Sequence, residues 1–287
     1  MKAFLYTSFA LSAFAFNSIL CRLALGADAI DAASFTTVRL ISGAFALFVI
    51  SAVFAKKEKK TREIMKRGTW LSAFFLFAYA VCFSFAYTNL TTGTGALILF
   101  GSVQATMIFA AIFAGERPKT VEWFGLVIAL VGLIYLVFPG LTSPPLESSA
   151  LMAFAGIAWG FYTLRGRGSA NPLGDTTGNF LRSVPMVIVS ALPFLSRAHL
   201  SQKGFLLAVA SGAIASGIGY SVWYRALKFH TATRAAILQL SVPVLAAFGG
   251  VIFMAETISF RLLTATLLII GGIALAIIGR KYVKNEE

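Results

Sequence analysis

The chain has 287 residues, of which 58% are hydrophobic and only 12% charged, with a mean hydropathy of +0.84. A soluble domain of this size cannot hide so much apolar surface, whereas lipid accepts it in helical stretches of about 20 residues. The net charge of +13 would suit nucleic acid if it formed a basic face, but its placement along the chain points to a membrane topology signal instead.

The first apolar segment covers 3–23. Lys2 and the small residues near Ala24–Ala29 imitate a secretory signal, but the apolar stretch is too long for one. Asn17 and Ser18 place polar groups inside it. The second segment, 33–54, carries Arg39 about six residues in, hence about 9 Å below its end at the helical rise. A charge at the bilayer centre costs about 2.5–3.5 kcal/mol on insertion scales, and snorkelling lowers that. Two readings stay open for Arg39: an arginine serving packing or headgroups, or a cavity cation that meets a substrate carboxylate or phosphate. The basic run from Lys56 to Arg67 reads as a solvated anchor beside anionic lipid.

Segment three, 69–87, contains Tyr79 and Ser84, and segment four, 94–114, contains Ser102 and Gln104. Glu116 ends the fourth. Segment five, 120–138, bears the small-residue stripe Gly125, Ala129 and Gly132, which lets helices approach closely. Segment six, 149–164, holds Trp159, Tyr162 and Thr163; segment seven, 177–194, holds Arg182. Segment eight, 204–224, carries Gly212, Gly217, Tyr220, Trp223 and Tyr224. Segment nine, 235–253, contains Gln239, Ser241 and Pro243, the last a kink signal, and ends near Glu256. Segment ten, 262–279, repeats the stripe as Gly272, Ala276 and Gly279. Tyr87, Trp123 and Tyr224 lie near segment ends and read as interface aromatics. The stripes read as packing within one chain, so a monomer is expected over a homodimer.

The segments repeat. Ala86 and Ala226, Ala96 and Ala236, and Gly132 and Gly272 are each 140 positions apart, while Arg22 and Arg165, and Arg39 and Arg182, are 143 apart. Five segments per copy is an odd count, so the second copy must be inverted in the membrane, the build of many secondary transporters. The predicted fold is all-α and integral to the membrane, with ten transmembrane helices as two inverted five-helix repeats, 1–141 and 142–287. With the N-terminus inside, 18 of the Lys and Arg residues fall on the inner side and three on the outer, which places both termini in the cytoplasm. Cys21 and Cys82 lie in apolar segments, so no disulfide framework is indicated.

The chain resembles the ten-helix, EamA-type members of the drug/metabolite transporter superfamily. The resemblance rests on Asn17 and Arg22, on Arg39, on the stretch from Ala86 to Gly132, on its counterpart from Tyr224 to Ser259, and on Glu116 and Glu256. It implies export of small metabolites across a bacterial inner membrane, with segments one to four and six to nine around a cavity and segments five and ten outside as supports.

The expected substrate-binding residues are Asn17, Arg39, Tyr79, Gln104, Trp159, Arg182 and Gln239, because a solute site needs a few placed polar groups in an apolar, aromatic wall. Gln239 is expected to bond the solute, with Trp159 and Tyr79 as wall. No acid is predicted deep in a segment, which disfavours carboxylate-based proton coupling; Glu116 and Glu256 read either as local carboxylates at a turn or as coupling groups. Hydrolase, metalloprotease and P-loop motifs are absent from the sequence, so neither catalysis nor a cofactor or metal is expected. The expected partners are a small-molecule substrate and membrane lipid. A nucleotide-sugar-like antiporter and a non-transporting membrane sensor or enzyme are the alternatives.

Overall fold

The computed structural model describes residues 2–25, 28–54, 66–90, 92–115, 120–137, 145–254 and 260–283. Lipid offers no partner to a bare N–H or C=O, so an apolar chain closes its backbone bonds within helices. The helices are α1 (Lys2–Leu25), α2 (Ala32–Phe54), α3 (Trp70–Ala86), α4 (Thr92–Phe113), α5 (Thr120–Val137), α6 (Leu146–Gly166) and α7 (Pro172–Ala191). A 3-10 turn (Leu192–Arg197) extends α7, α8 (Gln202–Leu227) follows, and α9 (Ala232–Gln239), α10 (Ser241–Met254) and α11 (Phe260–Val283) complete the order. Among the described residues the sole β pairing is an isolated bridge between Ile30 and Leu200.

By length and composition, four stretches are able to cross a membrane: Lys2–Leu25, Ala32–Val53, Pro172–Arg197 and Gln202–Leu227; shorter apolar helical stretches include Trp70–Ala86 and Thr120–Gly132. The polar side chains within them are mostly used locally. Thr36 donates to the Ala32 carbonyl and Thr176 to the Pro172 carbonyl, each at 2.7 Å, the one-turn back-bond that hides a hydroxyl.

Two departures from regular helix shape the centre. The predicted ninth segment is broken at Leu240, between α9 and α10. Pro243 has no N–H, and its ring crowds the carbonyl four residues back, that of Gln239. In α8, residues Ser211–Ile218 form a π-helical stretch, with the Gly219 N–H reaching the Ile214 carbonyl, a widened turn of the kind found at functional sites.

Packing sorts the helices into groups. α3 and α4 lie against α6, α1 lies against α8 and α10, and α2 touches both α7 and α8. A Cβ on Gly212 would collide with the Arg39 carbonyl oxygen, so this glycine sets how closely α8 approaches α2. α5 and α11 pair with each other: a Cβ on Gly132 would meet Leu268 and Ile269, and one on Gly272 would meet the Gly125 carbonyl and Ala129. Gly125, Ala129, Gly132 and Gly272 of the predicted stripes are thus spent inside the chain. Tyr224 departs from the interface role expected of it. It is 1% exposed, because α8 turns it against Gly166, where no Cβ would fit. Trp123 is exposed.

The connections at each end are cross-tied. Asp31 caps α2 by accepting from the Ser34 N–H at 2.9 Å, and it also accepts from the His199 N–H at 2.8 Å. Burial opposes the Asp31 charge, but bonds from Ser34, His199 and Ala33 outweigh it and hold the carboxyl below its ordinary value. A lowered carboxyl stabilises above the unfolded-state value, about 3.9, and loses that contribution as pH falls through the folded value, so this tie is complete at neutral pH. At the opposite end, the Thr69 N–H donates to Asn179 Oδ1 at 2.9 Å and Arg165 Nε donates to Ser72 Oγ at 2.9 Å.

Gly212→Val should lower the melting temperature of the detergent-purified protein or abolish its folding, since overpacking typically costs about 1–3 kcal/mol. Gly101→Ala, whose Cβ would meet nothing, should leave the melting temperature near that of the wild type in the same assay.

Candidate functional site

Arg39 sits on α2 with 1% of its surface exposed. Its Nε donates to Ser216 Oγ at 3.0 Å, and its Nη2 donates to Tyr220 OH at 2.8 Å and Tyr79 OH at 3.3 Å. Ser216 and Tyr220 are four residues apart on α8, one above the other on the same face. The guanidinium carbon lies 5.4 Å from the Tyr79 ring centroid and 5.6 Å from that of Phe83, within cation–π range. Among the described residues, nothing accepts from the buried Nη1, and no carboxylate pairs with this arginine.

An aromatic layer stands in front of it. Trp159 on α6 lies 4.6 Å from Tyr220 and 5.0 Å from Tyr79, and Phe14 on α1 meets Trp159 edge-on at 5.4 Å. A small cavity, about 30 Å³, is lined by Phe14, Asn17 and Tyr220 from one helix group and by Tyr79, Phe83 and Trp159 from the other. That volume is about the share of a single water in the liquid, so a solute enters only if the two groups part. Beyond this layer, toward the C-terminal ends of α6 and α8, a second aromatic pair follows. Tyr162 and Tyr224 lie 5.4 Å apart, and Tyr224 OH donates to the Tyr162 carbonyl at 2.9 Å.

Of the expected site residues, Asn17, Tyr79 and Trp159 line the cavity, and Arg39 lies directly behind the two tyrosine hydroxyls. Asn17 accepts from Ser211 Oγ at 2.6 Å. Gln239 differs from expectation. Its Oε1 accepts from Trp159 Nε1 at 2.9 Å, and its Nε2 donates to Met107 Sδ at 3.3 Å and the Ala235 carbonyl at 3.5 Å. The amide oxygen holds the Trp159 indole, and the residue lies outside the lining. Gln104 is buried on α4, also outside the lining. Arg182 is not brought to the cluster. Its Nη1 donates to the carbonyls of Arg67 and of Gly178, the latter at 3.0 Å, and its guanidinium lies 5.9 Å from the Trp70 ring. It secures the connection between α2 and α3. Glu116 and Glu256 lie outside the described residues.

Sequence reasoning left Phe14, Phe83 and Ser216 unnamed and did not carry Tyr220 into the site. Spacing could have found them: Phe14 is three before Asn17, Phe83 four after Tyr79, and Ser216 four before Tyr220. Glu122, near the start of α5, is a buried acid. The side chain is 1% exposed and lies 3.8 Å from Arg234 Nε. Among the described residues no group of three ligating side chains is arranged to hold a metal.

Comparison with known proteins then decides the family. The description of the EamA-like transporter family matches residues 1–138 and again 148–278. The chain belongs to that family. An uncharacterised protein of Pseudomonas aeruginosa is 46% identical over 279 residues, covering 97% of this chain and 96% of the relative. A probable amino-acid metabolite efflux pump of Salmonella typhimurium is 22% identical over 251 residues, covering 82% and 83%. One solved crystal structure superposes with a TM-score of 0.79 at 19% identity, over 97% of this chain and 98% of that one; at that identity the likeness concerns the fold. As an EamA-like protein the chain is a multi-pass membrane protein of the drug/metabolite transporter type.

The Gln239–Trp159 bond makes a separable prediction for this EamA-like protein. Gln239→Leu should destabilise it by about 1–3 kcal/mol, because a buried indole N–H loses its acceptor. Trp159→Phe, which removes the donor as well, should largely suppress the further effect of Gln239→Leu in a double-mutant cycle of thermal stability.

Proposed function

We propose that the protein is a secondary transporter that exports amino acids or similar small organic solutes across a bacterial inner membrane by alternating access. The observation that carries this reading is the polar-aromatic cavity in front of Arg39, built jointly by the α1–α8–α10 group and the α3–α4–α6 group. A cavity between two helix groups needs only a rocking of one group against the other to exchange the end that is open. The twofold match to the family, at 1–138 and 148–278, supports two five-helix repeats, 1–141 and 142–287, inverted relative to each other across ten transmembrane helices. The Salmonella relative, named as an amino-acid metabolite efflux pump, supports the solute class. The site offers a binding pocket without a nucleophile, base or metal set, which favours transport over catalysis, and the internal use of the glycine stripes favours a monomer.

Counterflow in liposomes tests the reading. Protein reconstituted with unlabelled amino acids inside should accumulate the labelled solute, and empty liposomes should not; absence of flux for every solute across a broad metabolite panel would sink the proposal. Among the described residues no carboxylate lines the cavity, so counterflow should persist after a protonophore collapses the proton gradient. Both termini should face the cytoplasm, and a C-terminal reporter active only when exported should therefore stay silent.

A further inference from the structure

We infer that Arg39, Tyr79 and Tyr220 form a receptor for a single carboxylate, so that the solute is a small monocarboxylic acid, amino acids included, with an apolar body. This deepens the proposed transport reading and rests on it.

The inference starts from a charge without a counter-charge. Arginine stays protonated in a protein, and Arg39 is sealed at 1% exposure. Its protein partners are three neutral hydroxyls. A buried cation is ordinarily paired with an anion or hydrogen-bonded through all its donors, and here neither condition holds, since Nη1 is buried with no acceptor among the described residues. A planar guanidinium fork with a spare donor is matched by a carboxylate, which takes two such bonds side by side.

The tyrosines extend the receptor toward the cavity. Each phenol oxygen accepts from Nη2, so each hydroxyl hydrogen is left to be donated. These hydrogens are what the phenols offer an incoming oxygen. Both tyrosines line the cavity, whereas Arg39 lies behind them. An entering carboxylate thus meets a hydroxyl polarised by the guanidinium, then reaches Nη1 as the helix groups part.

Charge count and wall fix the rest of the class. One cation balances one carboxylate, while a phosphate dianion would leave a negative charge uncompensated. The remaining lining, with Phe14, Phe83, Leu99, Phe100 and Trp159, suits an aliphatic or aromatic body. Among the described residues no acid lines the cavity to demand an ammonium group, and the ring faces tolerate one through cation–π attraction. A carboxylate is therefore required, and an α-amino group is permitted.

The competing account makes Arg39 only a tie between α2, α3 and α8. Selectivity between a carboxylate and its amide separates the two. The purified full-length protein would be titrated with phenylalanine, leucine, 3-phenylpropionate and isovalerate, and with the matching amides, following thermal stabilisation and tryptophan fluorescence. Wild type should respond to the acids at concentrations about tenfold or more below the amides, the scale of a lost charge-assisted bond. Arg39→Gln should bring acids and amides level, and Tyr220→Phe should reduce the preference several-fold while keeping the apolar contacts. Equal response of wild type to acids and amides, no response to any acid, or an undiminished preference in Arg39→Gln would overturn the receptor. If Arg39→Gln does not yield folded protein, Tyr220→Phe decides, and an unchanged preference there overturns it. Acid-selective binding without counterflow would refute transport and leave the receptor standing; counterflow of amides as efficient as that of acids would do the reverse.

Discussion

One buried cation organises the centre of this protein. A charge held in a membrane helix costs several kcal/mol unless polar groups surround it, and Arg39, on α2, draws those groups from two other helices. Ser216 and Tyr220 come from α8, and Tyr79 comes from α3. For α8 to reach it, the two backbones must nearly touch, which is why Gly212 stands against the Arg39 carbonyl. The π-helical stretch Ser211–Ile218 widens the helix where Ser216 turns inward. A single polar requirement thus accounts for a glycine, a helix irregularity and two tyrosine positions that otherwise look unrelated.

The aromatic residues translate that arrangement into a passage. Tyr79, Trp159, Tyr220 and Phe14 form one layer, and Tyr162 with Tyr224 forms the next. Trp159 faces Tyr220, and three or four residues further along both helices Tyr162 faces Tyr224, so α6 and α8 run in the same direction and present their rings in register. The first layer leaves a little space beside Asn17; in the second, Gly166 admits the Tyr224 ring where a larger residue would exclude it. Gln239 fixes the first layer from behind by holding the Trp159 indole, and the carbonyl crowding imposed by Pro243 breaks the helix just after that glutamine.

Equivalent positions in the two halves have taken different work. Arg39 is enclosed at the centre, whereas its counterpart Arg182 binds backbone carbonyls at the connection between α2 and α3. Pro243 interrupts its helix, and Val103, at the matching position, lies inside the continuous α4. Positions that match by sequence offset therefore need not share the roles of their side chains.

Much of this was readable from residues alone. Apolar stretches of membrane length located the helices, because lipid admits little else. The resemblance through Asn17, Arg39 and the stretch from Ala86 to Gly132 pointed to the transporter family. Rare polar residues in those stretches named Asn17, Arg39, Tyr79 and Trp159 before their surroundings were known. What the sequence could not supply is the direction in which each side chain faces. In a soluble helix, water marks one face by contrast of polarity. In these helices the lipid-facing and protein-facing sides are both apolar, so the contrast vanishes, and only packing against particular neighbours decides rotation. That is why Arg39 and Arg182, alike in sequence position, part ways, and why Gln239, a plausible solute ligand by composition, holds a tryptophan instead. The sequence by itself determined where helices must form and which polar groups they carry; the tertiary structure alone decided which of those groups meet, because that depends on helix rotation and close approach, not on polarity.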